Sequence, residues 1–148
     1  MKFAHTNIAA KDWRVLTEFY ISVFNCSIKP PERNLSGQWL NNATGLTNAK
    51  LSGVHLLLPG YDDNGPILEI FTYEDTHETT PIMANFVGFT HIAFEVNDVE
   101  QIFNLAMSNG GKVLGRITEK VVENIGVLKF VYFRDPEDNI VEIQSWAK

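Results

Sequence analysis

Cysteine is nearly absent: Cys26 is the only one in 148 residues. An internal disulfide is therefore excluded, and a thiolate zinc site would need more sulfur. Long apolar runs are missing too. None approaches the roughly 20 residues that a membrane-spanning helix requires, so no membrane partner is expected. The opening MKFAHTNIAAKDW does not read as a secretory signal, because His5, Asn7, Lys11 and Asp12 interrupt its apolar stretch. A cytoplasmic protein is the default expectation. Positive charge is sparse and scattered, with 12 Lys and Arg against 18 Asp and Glu and a net charge of −6. That argues against a nucleic-acid partner. An anionic substrate stays open, since a bound metal can reverse the local field.

What remains is an ordinary globular composition, 45% hydrophobic and 11% aromatic. Its length suits a single domain spanning 1–148. The chain also repeats itself. FAHTNIAAKDW from residue 3 is answered by FTHIAFEVNDV from residue 89. Both set a His on an alternating strand and an Asp seven residues later, His5 to Asp12 and His91 to Asp98. Each Asp is placed as the N-cap of a helix. The first helix has Val15, Leu16, Phe19, Tyr20, Val23 and Phe24 at helical spacing. The second has Val99, Ile102, Phe103 and Met107, with Gln101 as a capping-box partner and Gly110-Gly111 as its stop.

Strands follow each helix. In the first half they are expected weakly near Ser27–Pro30 or Gln38–Leu40, then at Lys50–Leu58 and Pro66–Tyr73. In the second they are expected at Lys112–Glu119, Ile125–Arg134 and Asn139–Trp146. Turn-forming residues separate the last two strands of each half, and Leu68-Glu69-Ile70-Phe71 is answered by Val141-Glu142-Ile143-Gln144. Two β-α-β-β-β modules result, roughly 1–74 and 88–148, joined by a polar connector, 75–87, with room for a short helical turn. Pro30–Ala49 has no counterpart in the second half. As a long irregular segment it is a candidate cover for a pocket.

Four residues do not suit the strands that hold them. Alternate residues share a strand face, so His5, Glu69, His91 and Glu142 all point away from the apolar positions that pack beneath the helices. A lone His on a strand is usually an ordinary hydrogen-bonded residue, and an outward Glu is normally solvated. The duplication changes that balance. Two His at one repeat position, each matched by a Glu on the closing strand, make a ligand set for a borderline-to-hard divalent metal.

With these motifs the chain resembles the vicinal oxygen chelate superfamily, the group of glyoxalases, bleomycin-resistance proteins and extradiol dioxygenases. The resemblance is carried by HTNIAAKDW, LEIFTY, NFVGFTHIAFEVNDVE and FVYFRDPEDNIVEIQSW. It implies an α+β fold in which two β-α-β-β-β modules form an open, curled mixed sheet around a metal cleft. The implied ligands are His5, Glu69, His91 and Glu142, holding one divalent ion (Zn, Ni, Co, Mn or Fe). The implied assembly is a homodimer. The expected reaction is that of a lyase, isomerase or epimerase. A small-molecule substrate with adjacent oxygens would lose a proton next to a carbonyl through a metal-bound enediolate. Glu142 is the first choice of base, with Glu69 its symmetry-related alternative.

The finer pattern departs from bacterial glyoxalase I, which the resemblance would give an Arg four residues after the first ligand His and an Asn four residues after the first ligand Glu. Ala9 and Tyr73 stand there, which puts glutathione recognition in doubt. His55 lies near the place where methylmalonyl-CoA epimerase carries a second acid/base carboxylate, and is the second catalytic candidate. The alternatives are an Fe(II) extradiol-type dioxygenase, which the fourth ligand disfavours, and a resistance or binding protein. His77 reads as solvated. Trp39, Phe71, Tyr73 and Trp146 read as pocket lining or packing. Arg14, Arg33, Arg116 and Arg134 are isolated and receive no role.

Overall fold

Asp12 and Asp98 each start a helix. The computed structural model, which describes Met1–Lys148, divides into two compact units, Met1–Thr79 and Thr80–Lys148. In the first, strand β1 (His5–Ala9) leads into helix α1 (Trp13–Phe24). The Asp12 carboxylate accepts hydrogen bonds from the backbone N–H of Arg14 and Val15, so two otherwise orphaned donors are satisfied. Asn25 closes α1 in the left-handed conformation, φ 55°. Leu16, Phe19, Tyr20 and Val23 form its buried face, while Val15, expected there, is exposed.

Four strands form the first sheet in the order β1-β4-β3-β2, with β2 Ser27–Ser36, β3 Lys50–Leu57 and β4 Ile67–Tyr73. β1 runs parallel to β4 and the other pairs are antiparallel, so the sheet is mixed and open. Alternation puts the buried Val54, Leu56, Leu68 and Ile70 on the face against which α1 packs. His5, His55 and Glu69 occupy the opposite face.

Two expectations for this unit need correction. The second strand is neither Ser27–Pro30 nor Gln38–Leu40 but one longer strand, Ser27–Ser36. Pro30 and Pro31 offer no N–H to a ladder, and the strand accommodates them with a bulge. Lys29 pairs with His55 and Arg33 with Gly53, leaving the residues between them unpaired. Gln38–Thr44 is a short helix, α2, so Pro30–Ala49 is not irregular. Its Leu40 is buried with Ala49, Leu51 and Phe71, and Leu35 and Tyr73 pack against them. This lies on the face of the sheet that carries Glu69.

The second unit repeats the plan with β5 (His91–Glu95), α3 (Val99–Ser108), β8 (Gly126–Arg134) and β9 (Ile140–Ala147), ordered β5-β9-β8. β5 is parallel to β9, and β8 is antiparallel to it. Asp98 caps α3 through the N–H of Gln101. Val99 and Ala106 are its buried residues, and Phe103 meets Phe133 edge-on at 6.2 Å. The expected strand Lys112–Glu119 is in fact two, β6 (Lys112–Val113) and β7 (Thr118–Val122), both along β8. The break falls at Gly115, whose N–H reaches Tyr132 O at 2.9 Å. Between β8 and β9 the fully buried Asp135 accepts from the N–H of Glu137 and Asn139 and from the Asn139 amide, fixing the turn. The connector forms turns without a helix.

Candidate metal and acid/base residues

Glu69 sits at the centre of the first sheet's open face. Its register partners are Asn7 on β1 and His55 on β3. His5 lies two residues before Asn7 and so shares that face. The two carboxylate oxygens are divided between imidazoles. Oε2 is 3.5 Å from His5 Nε2, and Oε1 is 3.1 Å from His55 Nε2. On its other side His55 Nδ1 lies 3.2 Å from Arg33 Nη2.

A guanidinium only donates, so Nδ1 of His55 is the acceptor. In the neutral ring Nε2 then carries the proton and donates it to Glu69. Burial is the largest influence holding the His55 pKa below the ordinary 6.5, Arg33 adds to it, and Glu69 opposes both. Phe71, whose ring centroid is 5.8 Å from that of His55, turns over Gly53. A Cβ at Gly53 would collide with the Ile70 carbonyl oxygen and stand 2.9 Å from Phe71 Cα, so the position requires glycine.

Glu142 is the corresponding residue of the second sheet. Its partners are Ala93 on β5 and Tyr132 on β8, and His91 lies two residues before Ala93. His91 Nε2 is 3.1 Å from Glu142 Oε2, and its other nitrogen is 3.0 Å from Thr90 Oγ1. The Tyr132 hydroxyl donates to the Glu142 carboxylate, and its ring meets His91 edge-on at 5.0 Å. Burial first, then this hydrogen bond and the carboxylate charge, raise the Tyr132 pKa above its ordinary 10.0.

The strand pairings therefore align His55 with Tyr132, since each lies directly across from its sheet's Glu. Sequence reading missed Tyr132. An aromatic on an alternating strand reads as packing, and only its register opposite Glu142 marks it out. Among the other residues singled out, Phe71 and Arg33 lie beside His55. His77 is exposed and stands 3.8 Å from Asp75, Trp39 and Trp146 are exposed, and Phe71 is buried under Leu40.

No group of three or more His, Cys, Asp and Glu side chains is arranged to hold a metal ion by itself. Within each unit, however, the donor atoms suit one. Two ligand atoms bound to a divalent ion at roughly 2.0–2.2 Å stand roughly 3–3.5 Å apart. The His–Glu separations of 3.5 and 3.1 Å match that spacing. Neutral imidazole with carboxylate is also a suitable donor pair for such an ion.

Comparison with known proteins gives the fold a family. No curated protein matches the sequence. Among solved structures, a glyoxalase family protein from Bacillus cereus aligns with a TM-score of 0.77 and 16% identity, covering 100% of this chain and 94% of that one. A glyoxalase family protein from Enterococcus faecalis aligns with a TM-score of 0.61 and 20% identity, over 97% and 96% of the two chains. A glyoxalase/bleomycin resistance protein/dioxygenase family enzyme from Burkholderia phytofirmans gives 0.61 and 14%, over 99% and 100%. At such identities the likeness is one of fold. The family model for glyoxalase, bleomycin resistance protein and dioxygenase matches residues 2–143, and members of that group commonly bind a divalent metal. The chain thus belongs to the Glyoxalase/Bleomycin resistance protein/Dioxygenase superfamily.

Proposed function

We propose that this protein is a divalent-metal-dependent lyase, isomerase or epimerase that removes a proton next to a carbonyl, with His5, Glu69, His91 and Glu142 as metal ligands. One observation carries the reading. In each unit a largely buried carboxylate, with side-chain exposure of 13% for Glu69 and 12% for Glu142, faces an imidazole Nε2 from the parallel neighbouring strand. Leaving a carboxylate in such a place is costly unless it is paired or coordinates a metal.

When bound, the metal polarises a substrate carbonyl and acidifies the adjacent C–H. The protein's own residues then divide the remaining work. Glu142 is the base. Its neighbours are the Tyr132 hydroxyl and His91. Tyr132 orients the carboxylate by donating to it. His55 holds a proton on Nε2 against Glu69 Oε1 and is the second proton-handling group.

Metal analysis of the purified protein and of Glu142→Gln, followed by solvent-deuterium exchange into thioesters and hemithioacetals, tests this. Wild type should bind a divalent ion and exchange an α-proton, and the variant should lose the exchange. Absence of metal binding by intact wild type defeats the ligand assignment. Metal binding without exchange in any substrate defeats the proton-transfer reading. Oxygen uptake with a catechol, dependent on Fe(II), would point to ring cleavage instead.

A further inference from the structure

Charge on the open face of the first sheet is unevenly matched. Lys29 lies directly across from His55, and Arg33 directly across from Gly53 on the same strand, so both belong to the face that bears Glu69. Both are half-buried. Neither has a carboxylate within ion-pair distance, and their place on the face of Glu69 and His55 sets them apart from the other unpaired cations. Glu32, the residue before Arg33, pairs instead with Arg14 at 4.0 Å.

Arg33 gives one N–H to Pro31 O through Nη1 and one to His55 Nδ1 through Nη2. Lys29 gives one to Asp63 O at 2.9 Å. Arginine has five N–H donors in a planar fork suited to two oxygens of one oxyanion. The remaining donors are free to bind. A half-buried guanidinium without a counter-charge is unfavourable on its own. It is well placed for a ligand because His55 alone separates it from Glu69, by contacts of 3.2 and 3.1 Å.

We propose that Arg33, with Lys29 beside it, receives the anionic end of the substrate. The substrate is then a small molecule whose carboxylate or phosphoryl group lies a few bonds from its metal-chelating oxygens. This rests on the metal-dependent reading above and narrows its substrate class. The bulge is what makes the site, since it brings Arg33 into register with Gly53 on the face that carries His55.

The full-length, metal-free protein is titrated separately with acetate, inorganic phosphate and neutral acetamide at constant ionic strength. The Arg33 side-chain N–H and the His55 ring nitrogens are followed by nitrogen-15 NMR. A saturable change at both groups is expected with at least one oxyanion and with no acetamide. Saturation with acetate alone identifies a carboxylate, with phosphate alone a phosphoryl group. Arg33→Met should weaken binding at least about tenfold, the loss of one charge-assisted contact, and Lys29→Met by less.

No saturation with either oxyanion, or equal saturation in Arg33→Met, overturns the proposal and leaves Arg33 as a brace for the bulge. Should Arg33→Met fail to fold, the wild-type titration and Lys29→Met still decide. Because no metal is present, failure here is distinct from failure of the metal assignment, which the metal analysis reads directly.

Discussion

The two halves of the chain share a plan yet surround their central glutamates differently. Glu69 and Glu142 each lie on the closing strand, across from a parallel strand that carries a His. From there they diverge. Glu69 takes an N–H from His55, which is backed by the Arg33 guanidinium. Glu142 takes an O–H from Tyr132. The repeat supplies two equivalent positions, and the residue across the strand gives one glutamate an imidazole neighbour and the other a phenol.

The largest effect expected from this asymmetry is in proton transfer. Glu142→Gln should lower α-proton exchange by about 10²–10⁴-fold, the usual worth of a positioned general base. Glu69→Gln should act mainly by weakening metal affinity, so that added metal restores much of its exchange. Measuring exchange against metal concentration for both variants separates the roles. If Glu69→Gln loses exchange at saturating metal while Glu142→Gln keeps it, the base lies in the first half and the assignment reverses.

A second difference is structural. Only the first half carries the α2 segment over its glutamate-bearing face, anchored by Leu40 against Leu51 and Phe71. Leu40→Ala should cost about 2–5 kcal/mol, the range for removing a buried leucine side chain, as read by denaturant unfolding. The same variant should loosen Phe71, which lies beside His55. A neutral effect on stability would mean that α2 rests on the sheet without holding it.

These contrasts were unequally legible in the sequence. The helices could be read because their caps and apolar spacing are local: Asp12 and Asp98 accept the hydrogen bonds that their positions imply. The closing strands could be read because LEIF and VEIQ alternate alike. Pro30 and Pro31 concealed β2, since a strand that passes two prolines by a bulge leaves no unbroken alternation. Gly115 divided what looked like one strand into β6 and β7. The equivalence of His55 and Tyr132 could not be read at all, because it resides in strand register and the two residues share no chemistry. Arg33 looked isolated for the same reason: its neighbour His55 is 22 residues away in sequence.

The smallest expected effect, and the one that isolates His55 from Tyr132, is in the pH dependence of stability. Burial lowers the His55 pKa in the folded protein relative to its ordinary 6.5. The unfolded chain therefore takes up a proton at this residue before the native state does. The stability contribution is present above the ordinary histidine value and is lost as pH falls through the lowered folded value. Tyr132 shifts the other way, with its folded pKa raised above 10.0. Its contribution is present below that ordinary value and is lost as pH rises through the folded one. Thermal melting of the metal-free protein should thus lose stability at the acid end less steeply in His55→Gln than in wild type, and at the alkaline end less steeply in Tyr132→Phe. Parallel acid limbs for wild type and His55→Gln would show that Glu69 offsets the burial and Arg33 fully, leaving the two halves alike in this respect.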